Sequence, residues 1–386
     1  MSGDTLPEPD RAEGAPHPRE TARLFGQEAA EAAFLDAHAS GRLHHAWMLT
    51  GPRGVGKATL AWRIARFLLA QGGAQEDGLF GAPPPPVSLE VDPEHPVARR
   101  MRALSEPGLF LLRRGGQGTT EREREKASAE GRFSNDIRVH DVRDLGRFIH
   151  LSAADGGRRV VIVDAADELN TQAANALLKM LEEPPARTVM LLVAHQPSSL
   201  LPTIRSRCRM LRLAPLGPQD MARALEAAGI GPGDDPAAAA ALSELAAGSV
   251  GAAVRLVTLD GVALYAEIVA LMESLPRLDR ARALRLADSA AQRGAEARRD
   301  LLFSLFDLFL ARLARTGATG TPPATEATPG EAALLSRLAP DAGCARAWAQ
   351  TAEDVGARAR HGLAVNLDPA ALVLDTVLRM TQTAGG

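Results

Sequence analysis

The segment Gly51-Pro-Arg-Gly-Val-Gly-Lys57-Ala58-Thr59 constrains this chain more than any other feature. It matches Gly-x4-Gly-Lys, a turn whose glycines let backbone N–H groups face inward around a phosphate at a helix N-terminus. The flanks suit that motif. Residues 45–50 read as a short apolar strand, and residues 58–70 set Leu60, Ile64, Ala65, Leu68 and Leu69 on one side of a helix. A glycine-rich turn that merely caps a helix is the plainer reading of the same residues. The strand before and the helix after favour a phosphate loop, with Gly51, Arg53, Gly54, Gly56, Lys57, Ala58 and Thr59 as candidate nucleotide-binding residues. Lysine usage agrees, because of 44 basic residues only Lys57, Lys126 and Lys179 are lysine. A compact ammonium retained where arginine is the default cation suits a point charge reaching for phosphate.

The motif departs from its pattern at its end. Ala58 stands where a hydroxyl for Mg²⁺ is expected, and the hydroxyl of Thr59 lies about 100° further round the helix. The second half of such a site is an Asp at the end of a buried strand followed by a water-activating Glu. The apolar run 160–163 delivers Asp164, the further candidate for the nucleotide site, but the next residue is Ala165. Asp167 and Glu168 follow three and four residues on, where a turn aims them elsewhere. The site is therefore degenerate. It is compatible with ATP, poorly equipped for Mg²⁺, and not expected to hydrolyse nucleotide.

Around this centre the chain divides by pattern. Residues 1–20 are polar and Pro-rich without apolar periodicity, which predicts a disordered tail. Residues 21–214 alternate strand and helix signals. A helix is expected over 27–39, a strand over 158–164, a helix over 171–183 stopped by Pro184-Pro185, and a strand over 189–194. Strand, helix, strand at this spacing argues for a parallel sheet with helices on both faces. Residues 71–133 read as an insertion or long loop, ordered only as a helix over 97–104 and a short strand over 108–112, with Glu121 to Lys126 a solvated loop. After Pro215 the strand signals stop. Residues 215–259 predict a small helical domain and 260–386 an all-helical one, interrupted by a Thr/Gly/Pro-rich surface loop or linker over 315–330. Residues 301–310 are apolar around most of the helical circumference, which suits a core or a subunit interface.

Several function classes drop out. A net charge of −3 gives no global positive field for nucleic acid, and nothing resembles a helix-turn-helix, a zinc finger or an aromatic stacking surface. Cys208 and Cys344 are the only cysteines, which excludes a disulfide scaffold and a four-cysteine zinc site. His44 and His45 are adjacent, so on a strand they point to opposite faces and do not make a metal pair. His95 and His140 are isolated. No stretch reaches the roughly 18 apolar residues of a membrane span, and the N-terminus is unlike a signal peptide, so a soluble, cytoplasmic protein is expected.

The run Asn175-Ala-Leu-Leu-Lys179-Met-Leu-Glu-Glu-Pro-Pro185, followed by Ser206-Arg207-Cys208, resembles the clamp-loader branch of the AAA+ ATPases, in particular the delta-prime family of bacterial DNA polymerase III. Gly26-Gln27-Glu28 and His45-Ala46-Trp47 are similar to the start of the same family, and the likeness covers roughly residues 24–257. It implies a RecA-like P-loop domain, a helical lid over 215–259 and a collar domain over 260–386 that takes part in a ring, which favours the interface reading of 301–310. It implies a non-hydrolysing stator that supplies Arg207 in trans to the ATP of a neighbouring motor subunit. The partners implied are the gamma/tau motor and delta subunits, the sliding clamp, and primed DNA through the complex. Gly251 stands where motor subunits carry an arginine in their Gly-Ser-x-Arg stretch, which agrees with a stator. The four-cysteine zinc module of many relatives is replaced by residues 71–133, so no zinc is expected. The rival readings are an ATP-hydrolysing motor of the same complex and an unrelated P-loop kinase or repair ATPase. The last leaves Ser206–Cys208 unexplained.

Overall fold

A computed structural model describes residues 7–12, 14–21, 23–71, 86–150, 157–230 and 236–385. The chain forms two compact units. The first runs to Ala228 and takes in Gly248–Gly251; the second comprises Gly229–Ala247 and Ala252–Gly386.

The first unit is built on a five-stranded, all-parallel sheet. Its elements in chain order are α1 (Glu28–Ala39), β1 (Ala46–Thr50), α2 (Lys57–Ala70), α3 (Pro96–Arg102), β2 (Leu109–Arg113), α4 (Glu121–Ala129), α5 (Val139–His150), β3 (Arg159–Asp164), α6 (Thr171–Glu182), β4 (Thr188–Ala194), α7 (Pro202–Arg205), β5 (Arg209–Arg212) and α8 (Pro218–Ala227). The strand order is β2-β3-β4-β1-β5. Strands β1 and β4 are buried at every residue, as a sheet covered on both faces requires. Helix α2 is nearly all core, with Leu60, Trp62, Ile64 and Leu68 sealed from solvent and Arg63 paired to Glu31 at 2.9 Å. The chain leaves β1 for the far edge at β2 and returns to β1's other side only with β5. That reversal opens a crevice at the carboxyl end of β1, where open α/β sheets bind ligands.

Several expectations change here. The segment 71–133 is not wholly an insertion, because β2 is the edge strand of the sheet, paired residue for residue with β3 from Leu109↔Val160 to Arg113↔Asp164. Its polyproline stretch falls largely outside the described residues. The charged run at 121–126 is helical, not loop: Thr120 and Glu123 form a capping box at the start of α4. Residues 7–12 and 14–20, expected as part of a disordered tail, lie against the unit with His17 fully buried. His44 and His45 precede β1 rather than lying in it, so they do not diverge; their rings stack 4.4 Å apart.

The second unit is all-helical: α9 (Pro236–Ala246), α10 (Val250–Thr258), α11 (Gly261–Glu273), α12 (Arg280–Ala291), α13 (Glu296–Thr319), α14 (Glu331–Leu338), α15 (Ala342–Ala364) and α16 (Pro369–Gly385). The first two residues of α10, Val250 and Gly251, belong to the first unit. Helix α13 is its axis. Leu301, Leu302, Leu305, Phe306, Phe309 and Leu310 are all buried within the unit, so the 301–310 stretch is core, not an exposed interface. The helix also continues through Thr319, absorbing the first residues of the expected 315–330 loop.

A buried ionic network ties four helices of this unit together. Arg312 of α13 bonds Glu331 of α14 at 2.8 and 3.0 Å and Glu244 of α9 at 2.8 Å. Tyr265 of α11 donates to Glu331 at 2.5 Å, and the Ala327 N–H donates to its other oxygen at 2.8 Å. Glu331 is fully buried. Removing one member of such a group strands a charge, at a cost of about 3–5 kcal/mol. Urea unfolding of Arg312→Ala, followed by circular dichroism, is expected to show a loss of that size; a change under about 1 kcal/mol would contradict the network's role.

Candidate functional site

The phosphate loop sits where the motif places it, between β1 and α2. Its glycines are held in conformations that other residues rarely adopt. Gly51 (φ +142°) passes so close to Leu213 that a Cβ would strike the Leu213 carbonyl oxygen, and Gly54 (φ +79°) leaves no room for a Cβ beside Ser249 Oγ. Lys57 opens α2 and is only 3% exposed. Its Nζ donates to the loop's own carbonyls, Gly51 O at 2.7 Å and Pro52 O at 2.6 Å. Burial pulls its pKa down to about 8, against the opposing pull of Asp167 and Asp164.

The segment Gly248–Gly251 closes over the same loop. Ser249 Oγ donates to Arg53 O at 2.8 Å and Gly251 N to Gly54 O at 3.1 Å. A Cβ on Gly251 would come within 3.0 Å of Gly54 Cα. The position at which the resemblance expected a motor's arginine is thus packed backbone to backbone on the phosphate loop. Gln27, ahead of α1, bonds both Val55 O (3.2 Å) and Ala214 O (2.7 Å), so the loop is also pinned from the sheet's β5 side.

Asp164 ends β3 beside these groups. Burial pushes its carboxyl up to about 7, helped by the nearby charges of Asp10 and Glu168 and opposed by Lys57 and Arg53. The two acids after it are committed elsewhere. Asp167 Oδ1 accepts the His195 N–H at 2.9 Å, and Glu168 is paired with Arg114 at 3.0 Å and Arg53 at 3.7 Å. Gly51 to Lys57 and Asp164 are therefore brought together at the carboxyl ends of β1 and β3, with Ala58 and Thr59 in the first turn of α2.

Arg207 lies apart from them, in the turn between α7 and β5. Its guanidinium bonds Glu182, the last residue of α6, at 2.8 Å and Thr203 O at 3.0 Å, and its side chain is 36% exposed. The family helix run and the Ser-Arg-Cys turn are therefore in contact through one ion pair. Cys208 packs against the sheet's core, and burial pushes its thiol up to about 12, as a packing role requires.

His195 was not read from the sequence. It directly follows β4, and burial together with the Lys57 charge holds its imidazole down at about 4. It lines a cleft of about 690 Å³ with Thr50, Gly51, Ser206 and Arg212. Its sequence signal is the same as that of Asp164, a titratable residue at the carboxyl end of a buried apolar run.

The parallel order 5-1-4-3-2 and the loop after β1 define a RecA-like P-loop domain of the AAA+ type. A family model described as DNA polymerase III, delta subunit, matches residues 26–217. The DNA polymerase III subunit delta' of Pseudomonas aeruginosa is 36% identical over 234 residues, covering 61% of this chain and 61% of that protein. The delta' subunit of Escherichia coli is 32% identical over 179 residues, 46% of this chain and 45% of its own length. The tau subunit of Salmonella typhimurium is 32% identical over 209 residues, 54% of this chain and 28% of its own length. The chain thus spans less than two thirds of each of these relatives. Residues 26–217 are thus similar to the delta-prime-like clamp-loader family of DNA polymerase III. Among the described residues no helix is long and apolar enough to cross a membrane.

The raised Asp164 pKa carries a sign. Between the ordinary carboxyl value of 3.8 and about 7 the folded state holds a proton that the unfolded chain has released, so stability falls as pH rises through that window. Asp164→Asn removes the effect. Its thermal midpoint is expected to exceed that of the parent chain by a few degrees at about pH 8, with the gap closing toward about pH 4. A constant gap across that range would show that Asp164 does not titrate there.

Proposed function

We propose that this chain is a non-hydrolysing stator subunit of the DNA polymerase III clamp loader. In that reading it takes part in ATP-dependent loading of the sliding clamp without turning over ATP itself. The observation that carries the reading is the state of the phosphate loop. Its lysine is spent on Gly51 O and Pro52 O, and Gly248–Gly251 is packed on Gly54. A phosphate entering the loop would have to displace both. Ala58 adds no hydroxyl for Mg²⁺, and Glu168, the glutamate that follows Asp164 in the chain, is paired with two arginines.

Arg207 is the group this stator would present. Half-exposed and oriented by Glu182 and Thr203, it offers a permanently charged fork to the ATP of a neighbouring gamma/tau motor subunit. There it would stabilise charge developing on the transferring phosphoryl group. The delta subunit, the sliding clamp and primed DNA are the remaining partners of that assembly.

The test is a reconstituted complex. Arg207→Ala is expected to lower clamp- and DNA-stimulated ATP hydrolysis by about tenfold at the site it faces, a modest part of what a trans-acting arginine supplies. Lys57→Ala in this chain should leave the same rate unchanged. Unchanged hydrolysis in Arg207→Ala removes the trans-arginine role. ATP turnover by the isolated chain, abolished by Lys57→Ala, would replace the stator with a motor.

A further inference from the structure

Residues 7–12 and 14–21 have no part in the reading above, yet several of their side chains are bonded into the first unit. His17 is fully buried, edge-on to Trp62 of the phosphate-loop helix with ring centroids 5.6 Å apart. Its Nδ1 accepts the Arg19 N–H at 3.1 Å, which leaves the proton on Nε2, 3.2 Å from Asp10 Oδ2. Asp10 reaches Arg113 at 2.5 Å, and Glu8 bridges Arg113 at 3.1 Å and Arg19 at 2.6 Å. Arg114 donates to Pro9 O at 3.1 Å, and Arg66 of α2 to Arg19 O at 2.7 Å. Burial alone would raise the carboxyls of Asp10 and Glu8, but these partners hold both below the ordinary range.

The position of this segment matters more than its strength. Arg113 ends β2 opposite Asp164 in the sheet register, so its carboxylate partners stand at the same end of the sheet as the phosphate loop. Asp10 is near enough to Asp164 for its charge to help keep that carboxyl protonated. Two arginines at this end of the sheet, Arg113 and Arg114, are occupied by the segment, and Arg114 and Arg53 are also paired with Glu168. Glu8, Asp10 and His17 could suggest a metal, since their ligand atoms lie within 4.8 Å of one another. The guanidinium groups of Arg19 and Arg113 already sit on both carboxylates, which is the wrong charge environment for a cation.

We propose that residues 7–12 and 14–21 form an intramolecular strap that disfavours polyphosphate at the phosphate loop, its acidic tip occupying the arginines at that end of the sheet. The strap is a second obstacle to nucleotide, separate from the loop's own closure, and so rests on the reading of that loop as closed. Its physical basis is simple. A triphosphate brings several negative charges to the carboxyl end of the sheet, where Arg113 and Arg114 are already held by the strap and do not turn to it.

The experiment uses the full chain with Glu8→Gln and Asp10→Asn together, and Arg19→Gln as an independent way to loosen the strap. Trypsin cleavage at Arg11, present in the parent and in both variants, reads strap release, circular dichroism confirms folding, and titration with MgATP and with inorganic tripolyphosphate reads the site. Both variants should be cut faster than the parent. The double variant should bind both probes about tenfold more tightly, the scale of one freed charge-assisted contact. Adding Lys57→Ala should cancel the gain. Variants that are cut faster but bind no better overturn the proposal, as do folded variants whose cleavage is unchanged. Tight binding and turnover of MgATP by the parent chain would instead overturn the closed-loop reading, and the ratio between variant and parent would still judge the strap.

Discussion

An all-parallel sheet has to be covered on both faces, and in this chain that requirement fixes everything near the candidate site. Strand β1 lies between β4 and β5 and is buried at each residue, so the loop after it can emerge only at the carboxyl end of the sheet. Helix α2 is equally confined, because nearly its whole circumference is core. Gly51 and Gly54 are required for steric reasons that have nothing to do with nucleotide: each runs against neighbouring chain with no room for a side chain. A phosphate-loop shape can therefore persist as a structural element after its chemistry has gone.

What fills the loop's polar valences supports that view. In a chain that uses its phosphate loop, the lysine and the inward-facing backbone are held ready for an incoming anion. Here the lysine is satisfied by two carbonyls, Gly251 lies on Gly54, and the acids after Asp164 have other partners. Each contact is modest alone. Together they make the loop a self-contained knot, held by its own side chains and by residues far along the chain.

The parts legible in the sequence were those whose burial is complete. Strands β1, β3 and β4 are unbroken apolar runs, and the signature of helix α6 carried its own boundaries. The edge strands were harder to read. In β5 only Leu211 is buried, so Arg209-Met-Leu-Arg212 carries no apolar run, while β2 looked like an isolated strand because nothing local says which edge it joins. Helix α5 was missed although Val142, Leu145 and Ile149 recur on one face. Helix α4 was hidden by its charges, and only its capping box betrays it. At the site, Lys57 and Asp164 were visible because motif and strand end point to them. His195 needed the fold, and the contacts of residues 7–21 join positions about a hundred apart, beyond the reach of any periodicity.

The ionic group around Arg312 also bears on how the second unit chooses its arrangement. Hydrophobic packing tolerates small rotations of one helix on another, since leucine against leucine is nearly as good one notch along. A guanidinium shared between Glu331 and Glu244 does not tolerate them, because another setting of α9 takes Glu244 out of reach of the half of the fork that Glu331 leaves open. The network therefore works as a key. It contributes less by strengthening the helix bundle than by making every neighbouring arrangement of it worse.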